Sequence, residues 1–388
     1  MNFELNDDQL NIRDAMTALM DDFGDDYWLG LERSGEFPDA FYRAIADGGW
    51  LGIAVPQAYG GSELGLTDAA VMMMTVTNSA GGMSAASSIH MNIFGPRPIT
   101  AFGTEEQKQT WLPPIIAGTQ KCCFAVTEPD AGLDTGSIKT SAVRNNDGYV
   151  VTGQKIWTST AQVADKIMLL ARTTPVEQCK RPIDGLSLFY TDLDRRYVEV
   201  KEIEKMGRRA VDSNTVFIDQ LPVPAGDLIG EEGAGFRYIL KSLNSERILI
   251  GAEALGLGRS ALGRAAKYAK ERVVFGRPIG QNQAIQHPLA QNWIELEAGE
   301  LLCLRAAWTY DQGKPCGPEA NACKHFCAEA GFKAATQAVM TLGGMGYAKE
   351  FHVERLMREA MIPRLAPVSA QLILCYIAEQ VLGLPKSY

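Results

Sequence analysis

The chain has four histidines, His90, His287, His325 and His352, and none falls in a metal-ligand spacing. HExxH and CxxC are missing, which removes the common zinc-hydrolase and dithiol arrangements. No GxxxxGK followed by Ser or Thr occurs. GGMGY and GLGLGR lack both the GxGxxG spacing and a preceding strand, so neither a phosphate loop nor a Rossmann-type nicotinamide site is expected. There is no GxSxG nucleophile elbow. The eight cysteines, Cys122, Cys123, Cys179, Cys303, Cys316, Cys323, Cys327 and Cys375, show no disulfide-framework spacing. Cys323 and Cys327 are one helical turn apart, but His325 between them would face away, so free thiols are expected and no metal. No five like charges run together and the net charge is −9, which argues against nucleic acid and against a membrane surface. No apolar run reaches the roughly 18 residues that span a bilayer. The polar, acidic MNFELNDDQL reads as neither signal nor transit peptide, so the expected location is cytoplasmic.

What is present is an ordinary globular mixture, 46% hydrophobic and 21% charged over 388 residues, enough for two or three domains. The first part reads as helical. LNDDQLNIRDAMTALMDDF carries apolar residues at three- and four-residue spacing behind an Asn/Asp cap, and Thr104 followed by Glu105, Glu106 and Gln107 is a helix start. AFYRAIADGGWLGIAV and AAVMMMTVTNSAGG continue the pattern. The character changes near Lys121: CCFAVTEP is short and β-rich, TSAVRNNDGYVVTGQKIWTST reads as a hairpin turning at Asn145–Gly148, and further strand-like runs follow. Helix returns after GEEGAGF, first as one long pattern from about Gly233 to Arg272, then near 283–312, 317–341, 350–361 and 367–382. The expected class is α+β, mostly α. The expected domains are a helical one at 1–119, an antiparallel β domain at 120–230 and a four-helix bundle at 231–388.

With the standard catalytic motifs missing, hard chemistry would fall to an organic cofactor. One residue on the long helix stands out. Phe236, Ile239, Leu240, Leu243, Arg247 and Ile250 form an apolar-dominated stripe, and Glu246 falls on it. A carboxylate on a buried face is costly unless paired or protonated. Its pKa should rise, which suits a general base near neutral pH. The alternative is an ion pair with Lys241 or a nearby arginine. In the β region, TEPDAGLD is a turn able to aim N–H groups at an anion. KIWTST ends a strand with an aromatic and hydroxyls: Trp157 could cover a planar ring and Ser159 bond to it, or Trp157 is plain core.

FAVTEPDAGLD (124–134), GYVVTGQKIWTST (148–160), KMGRRAVDSNTVFID (205–219), PAGDLIGEEGAGF (224–236), ERVVFGRPIGQNQAIQ (271–286) and LGGMGYAKEFHVERLMREA (342–360) together resemble the acyl-CoA dehydrogenase family, in order and spacing, over nearly the whole chain. The resemblance implies bound FAD and a homotetramer or homodimer. It implies α,β-dehydrogenation of an acyl-CoA to the 2-enoyl-CoA, with electrons passed to an electron-transfer flavoprotein. By position, Phe124, Val126 and Thr127 match the strand against the flavin, and Gly132 a turn that contacts the pyrophosphate. Trp157 and Ser159 match the aromatic and hydroxyl beside the isoalloxazine. Arg272, Phe275 and Gln283 match residues that reach a neighbouring subunit's FAD. Gly343 and Gly344 match the glycine turn near the adenosine.

The chain departs from the family pattern in informative places. Most members carry their base in a Tyr-Glu-Gly-Thr segment, where this chain has Arg364-Leu365-Ala366-Pro367-Val368-Ser369 and no carboxylate. A subgroup that includes the isovaleryl and long-chain enzymes places the glutamate on the long bundle helix, the position of Glu246, and Asn244 and Arg247 then match positions near the pantetheine arm. Pro367 has no N–H to offer the thioester oxygen, so a one-residue shift that puts Ala366 there is expected. Leu133 and Met340 replace the serine and glutamine that many members use toward cofactor or ligand. Two other readings stand beside this one: a flavin oxidase or oxygenase on the same fold, and a non-catalytic acyl-CoA-binding homologue.

Overall fold

The computed structural model describes residues 4–387. Seven helices come first: α1 (Asp7–Asp21), α2 (Asp25–Ser34), α3 (Asp39–Asp47), α4 (Leu66–Thr77), α5 (Gly82–Phe94), α6 (Arg97–Phe102) and α7 (Glu105–Ile116). The expected starts are there. Asn6 caps α1 by accepting from the Gln9 N–H at 2.8 Å, and Thr104 caps α7 by accepting from Gln107, each with the reciprocal glutamine bond. The Met72–Met74 run is fully internal, as flexible side chains filling core gaps should be. Helix α5 is buried along almost its whole length, which is what allows polar side chains on it to face an interior site.

The middle region is a seven-stranded sheet: β1 (Cys122–Ala125), β2 (Ser141–Arg144), β3 (Gly148–Ser159), β4 (Lys166–Arg172), β5 (Leu186–Asp192), β6 (Val198–Glu202) and β7 (Ser213–Pro224). The order is β1-β4-β2-β3-β7-β6, with β5 added to β4. The hairpin turn falls where the sequence placed it, with Asn145 Oδ1 accepting from the N–H groups of Asp147 and Gly148. The sheet is not wholly antiparallel. β1 runs parallel to β4, and β2 meets β4 in parallel at one pair. The long TEPDAGLD excursion between β1 and β2 lets the chain cross over without a hairpin, so the expectation of an all-antiparallel domain is corrected here.

The last region opens with α8 (Gly235–Glu271), 37 residues long. The two-residue strands β8 (Val273–Val274) and β9 (Arg277–Pro278) form a small hairpin. Then come α9 (Gln283–Asp311), α10 (Gly317–Leu342), α11 (Val353–Glu359), α12 (Ile362–Leu365) and α13 (Ala370–Gln380). Helices α8, α9, α10 and α13 make the four-helix bundle, and α4 and α5 pack across α8 from the first region. The small residues of GAEALGLG let α8 and α10 approach closely. A Cβ on Gly331 would sit 2.3 Å from the Ala254 carbonyl oxygen, and one on Gly258 would meet the Gly331 backbone at 2.9 Å.

One sequence expectation needs qualifying. Within residues 353–380 an 18-residue window reaches mean hydropathy 1.4, enough by length and composition to cross a bilayer. The stretch is divided into α11, α12 and α13, with Pro363 in the first turn of α12 and Pro367 in the break before α13.

Candidate active site

Glu246 lies in the first third of α8, on the face turned towards α5 and α10. One turn of helix either side, Ser242, Ile248, Leu249 and Ile250 are buried. Glu246 forms no ion pair among the described residues, and its Oε2 is enclosed with no hydrogen-bond partner. Lys241, the simplest candidate partner, instead lies over the Phe102 ring at 5.4 Å. Burial pushes the Glu246 carboxyl up to about 7, although His90 and Arg247 pull it down. The ordinary salt-bridge reading therefore fails, and a carboxylate poised near neutrality remains. Leu240, placed on the same stripe by periodicity, is instead exposed. Arg247 donates to Asn244 Oδ1 at 2.9 Å, so these two form a polar pair on the helix beside Glu246.

The wall opposite is built by the β domain. Lys155 is completely buried, and its Nζ donates to the Val126 carbonyl at 3.0 Å and to Glu128 Oε1 at 2.9 Å. Glu128 in turn accepts from the Lys139 and Thr140 N–H groups. That buried pair fixes the TEPDAGLD turn against β3. Ile156 N–H donates to the Thr127 carbonyl at 2.9 Å, continuing the contact. Next, β3 bulges: its register against β7 shifts between Lys155 and Thr158, and Trp157 takes φ 61°. A left-handed residue in a strand reverses the alternation locally. As a result Trp157 turns outward and is 56% exposed, whereas Thr158 is buried. Trp157 is thus not plain core, because the bulge presents it as a surface. Ser159 Oγ accepts from Arg208 at 3.2 Å, which leaves its own proton to be donated outward. Phe124 and Val126 are half-buried along the same edge, Phe124 against Phe94 of α5 with ring centroids 5.7 Å apart. Gly132 sits on the exposed tip of the turn, with open space where a Cβ would go.

Other expected residues lie apart from this cleft. Arg272 is 26 positions beyond Glu246, so at about 1.5 Å per residue it is roughly 40 Å away. Phe275 is fully exposed at the tip of the β8–β9 hairpin, and Gln283 is exposed at the start of α9. Gly343 and Gly344 are exposed where α10 ends, Gly343 with φ 61°. Within one chain these five residues cannot serve the Glu246 cleft. Leu133 and Met340, 56% and 70% exposed, are likewise on the surface. Ala366 closes α12: its N–H donates to the Ile362 carbonyl at 2.9 Å, so this conformation does not offer it to a thioester oxygen. Two residues on, the Val368 carbonyl accepts from the buried Lys324 at 2.5 Å.

Three polar side chains escaped sequence reasoning. Glu253, completely buried, lies seven residues and two turns beyond Glu246 on α8. His90 of α5 places Nδ1 2.6 Å from Glu253 Oε1. Arg208 takes φ 58° in the loop before β7 and spans to Ser87 of α5. Glu253 carried a sequence signal, as the lone charge in an otherwise small and apolar run. His90 and Arg208 carried none, since both depend on contacts between regions.

Most of the chain is covered by profiles of one family. Residues 6–119, 123–221 and 233–381 match the acyl-CoA dehydrogenase N-terminal, middle and C-terminal domains. The chain is 34% identical over 390 residues to the acyl-CoA dehydrogenase FadE12 of Mycobacterium tuberculosis, covering 97% of this chain and 96% of that protein. It superposes on the glutaryl-coenzyme A dehydrogenase–glutaryl-CoA complex with a TM-score of 0.94 at 28% identity, covering 100% and 98% of the two chains. With butyryl-CoA dehydrogenase of Megasphaera elsdenii the TM-score is 0.93 at 28% identity, with coverage of 98% and 100%.

Proposed function

The chain belongs to the acyl-CoA dehydrogenase family and is an oxidoreductase, and from that premise we propose that it converts an acyl-CoA to the 2-enoyl-CoA with Glu246 as the base. The observation that carries this reading is the enclosed, unpartnered Oε2 of Glu246, whose carboxyl burial has raised to about 7. A base of that strength still ionises at physiological pH, and it is kept from water, so it can take the acidic α-proton of a thioester.

Bound FAD would supply the hydride-accepting chemistry for the β-carbon. The residues present fit such a group. Trp157 offers a flat face on the bulge of β3, Ser159 a hydroxyl proton, and Phe124, Val126 and Thr127 an extended edge. The Glu128–Lys155 pair holds that edge in place. Gly132 leaves room for close approach of a phosphate at the turn. Asn244 and Arg247 lie within one turn of the base, where a pantetheine arm would pass. Arg272, Phe275 and Gln283 are assigned to the FAD of a second subunit, and Gly343 and Gly344 to a turn near an adenosine end, which their exposure supports. An apolar stripe on α9, Trp293, Ile294, Leu301 and Trp308, also exposed, supports a homotetramer or homodimer. The electron acceptor in this reading is an electron-transfer flavoprotein.

Anaerobic titration of the flavin-loaded enzyme with straight, branched and aromatic acyl-CoAs tests the proposal. Bleaching by at least one thioester is expected, with a loss of about 10²- to 10⁴-fold in rate for Glu246→Gln. Full-rate bleaching by the variant would remove Glu246 from the role. Stoichiometric peroxide release in air would replace the electron-transfer flavoprotein with oxygen.

A further inference from the structure

Between Glu246 on α8 and Ser159 on β3 lies a group of polar side chains of which the proposed reaction uses Glu246 alone. Four enclosed polar atoms there have no partner: Glu246 Oε2, Glu253 Oε2, His90 Nε2 and Arg208 Nε. Arg208 is the least expected of them. Its guanidinium donates only to hydroxyls, to Ser87 at 3.0 Å, Ser159 at 3.2 Å and Ser213 at 3.1 Å. No carboxylate lies within ion-pair distance among the described residues, and those nearby are committed elsewhere. Glu359 accepts from Ser84, Met83 N–H and Arg355. Asp212 accepts from Gln162 N–H and Asn214. Glu253 faces His90. Burial lowers the Arg208 pKa, as it must for a cation with little compensation.

The backbone that carries Arg208 is held in a strained conformation. Its φ of 58° is unusual for a side chain of this size. The residues flanking it are clamped: the Met206 carbonyl accepts from Arg358, and Arg209 N–H donates to Glu32 Oε2 at 3.0 Å. The loop therefore aims a cation inward to a place where, among the described residues, no carboxylate comes within ion-pair distance. Nearby His90 is drawn toward its protonated form: burial opposes the charge and the Glu253 carboxylate outweighs burial. A neutral ligand would leave Arg208 uncompensated, whereas a carboxylate matches both the charge and the planar fork of the guanidinium.

We propose that Arg208, flanked by Ser87 and His90, anchors a carboxylate at the far end of the acyl chain, so that the enzyme selects ω-carboxyacyl thioesters over alkyl ones. This rests on the dehydrogenase reading above. The test uses flavin-loaded enzyme with an electron-accepting dye and compares kcat/KM for glutaryl-CoA with valeryl-CoA and for adipyl-CoA with hexanoyl-CoA. Wild type should favour the carboxylated member of a pair by on the order of 10- to 100-fold. Arg208→Gln should abolish that preference, mainly through KM, and Arg208→Lys should retain part of it. The proposal is overturned if wild type prefers the alkyl thioesters. It is equally overturned if Arg208→Gln slows both series alike while shifting the flavin midpoint potential, which would assign Arg208 to Ser159 and the cofactor. The two readings separate cleanly. Alkyl thioesters oxidised without preference for the carboxylated ones sink this proposal alone, whereas no flavin reduction by either series sinks the dehydrogenase reading with it.

Discussion

His90 Nδ1 lies 2.6 Å from Glu253 Oε1, joining α5 to α8 two helical turns from Glu246. The contact crosses between the first helical region and the bundle, and it places a cation-forming ring within electrostatic reach of the proposed base. Among the groups around Glu246, His90 and Arg247 favour its ionised form, as does Lys324 from α10, while Glu253 opposes it. Arg208 is the further charge facing His90.

The first prediction concerns that contact. The acid limb of kcat/KM for the wild type should fall near pH 7, where Glu246 loses its proton. His90→Asn deletes a charge that favours the carboxylate, so the limb should move to higher pH. A pH profile of the variant that overlays the wild type would show that His90 does not act on Glu246.

Placing the base in a buried setting costs stability. A carboxyl raised from 4.5 to about 7 binds its proton more tightly folded than unfolded. The folded state is therefore favoured most at low pH by this group, and that contribution is lost as pH rises through about 7. Above that pH the cost is at most about 3 kcal/mol at 1.36 kcal/mol per unit. Glu246→Gln should thus stabilise the flavin-free protein at pH 8 and not at pH 4, as denaturant melts at the two values would show. A variant equally or less stable at pH 8 would mean that the carboxylate is better solvated than its enclosure implies.

Glu128 and Lys155 form the second buried pair, with a different role. Burial holds Lys155 down to about 8 despite its partner. Glu128→Gln leaves that ammonium unpaired, and a loss of about 3–5 kcal/mol near pH 7 is expected. The loss should shrink as pH rises through 8, because Lys155 then gives up its proton more readily. Flavin content should fall along with stability, since the pair fixes the turn from Thr127 to Gly132. Full flavin retention in a destabilised variant would separate the turn from cofactor binding.

Phe275 supplies the prediction about assembly. A fully exposed phenylalanine at a hairpin tip has no role within its own subunit. Phe275→Asp should leave the monomer's melting behaviour within about 0.5 kcal/mol. It should lower the assembly state seen by sedimentation and raise the apparent flavin Kd. An unchanged assembly with unchanged flavin affinity would remove Phe275 from the interface.

Much of this protein is written locally. Asn6 and Thr104 cap their helices because a side-chain oxygen and a glutamine three residues on are all that a capping box needs. The Asn145–Gly148 turn is likewise decided within four residues. Glu246 was legible because helical periodicity puts it on an apolar stripe, whatever α8 later packs against. Only tertiary structure decided what surrounds that residue. The parallel pairing of β1 with β4 joins segments some 44 positions apart, and no local pattern specifies it. Trp157 could be told from core only once the bulge against β7 was seen. That the Ala366 N–H bonds to the Ile362 carbonyl follows from the fold of α12 and from no local signal. His90, Glu253 and Arg208 come from three regions of the chain, and their charges acquire meaning only in proximity, because desolvation and Coulomb interaction depend on distance in space and not on position in sequence.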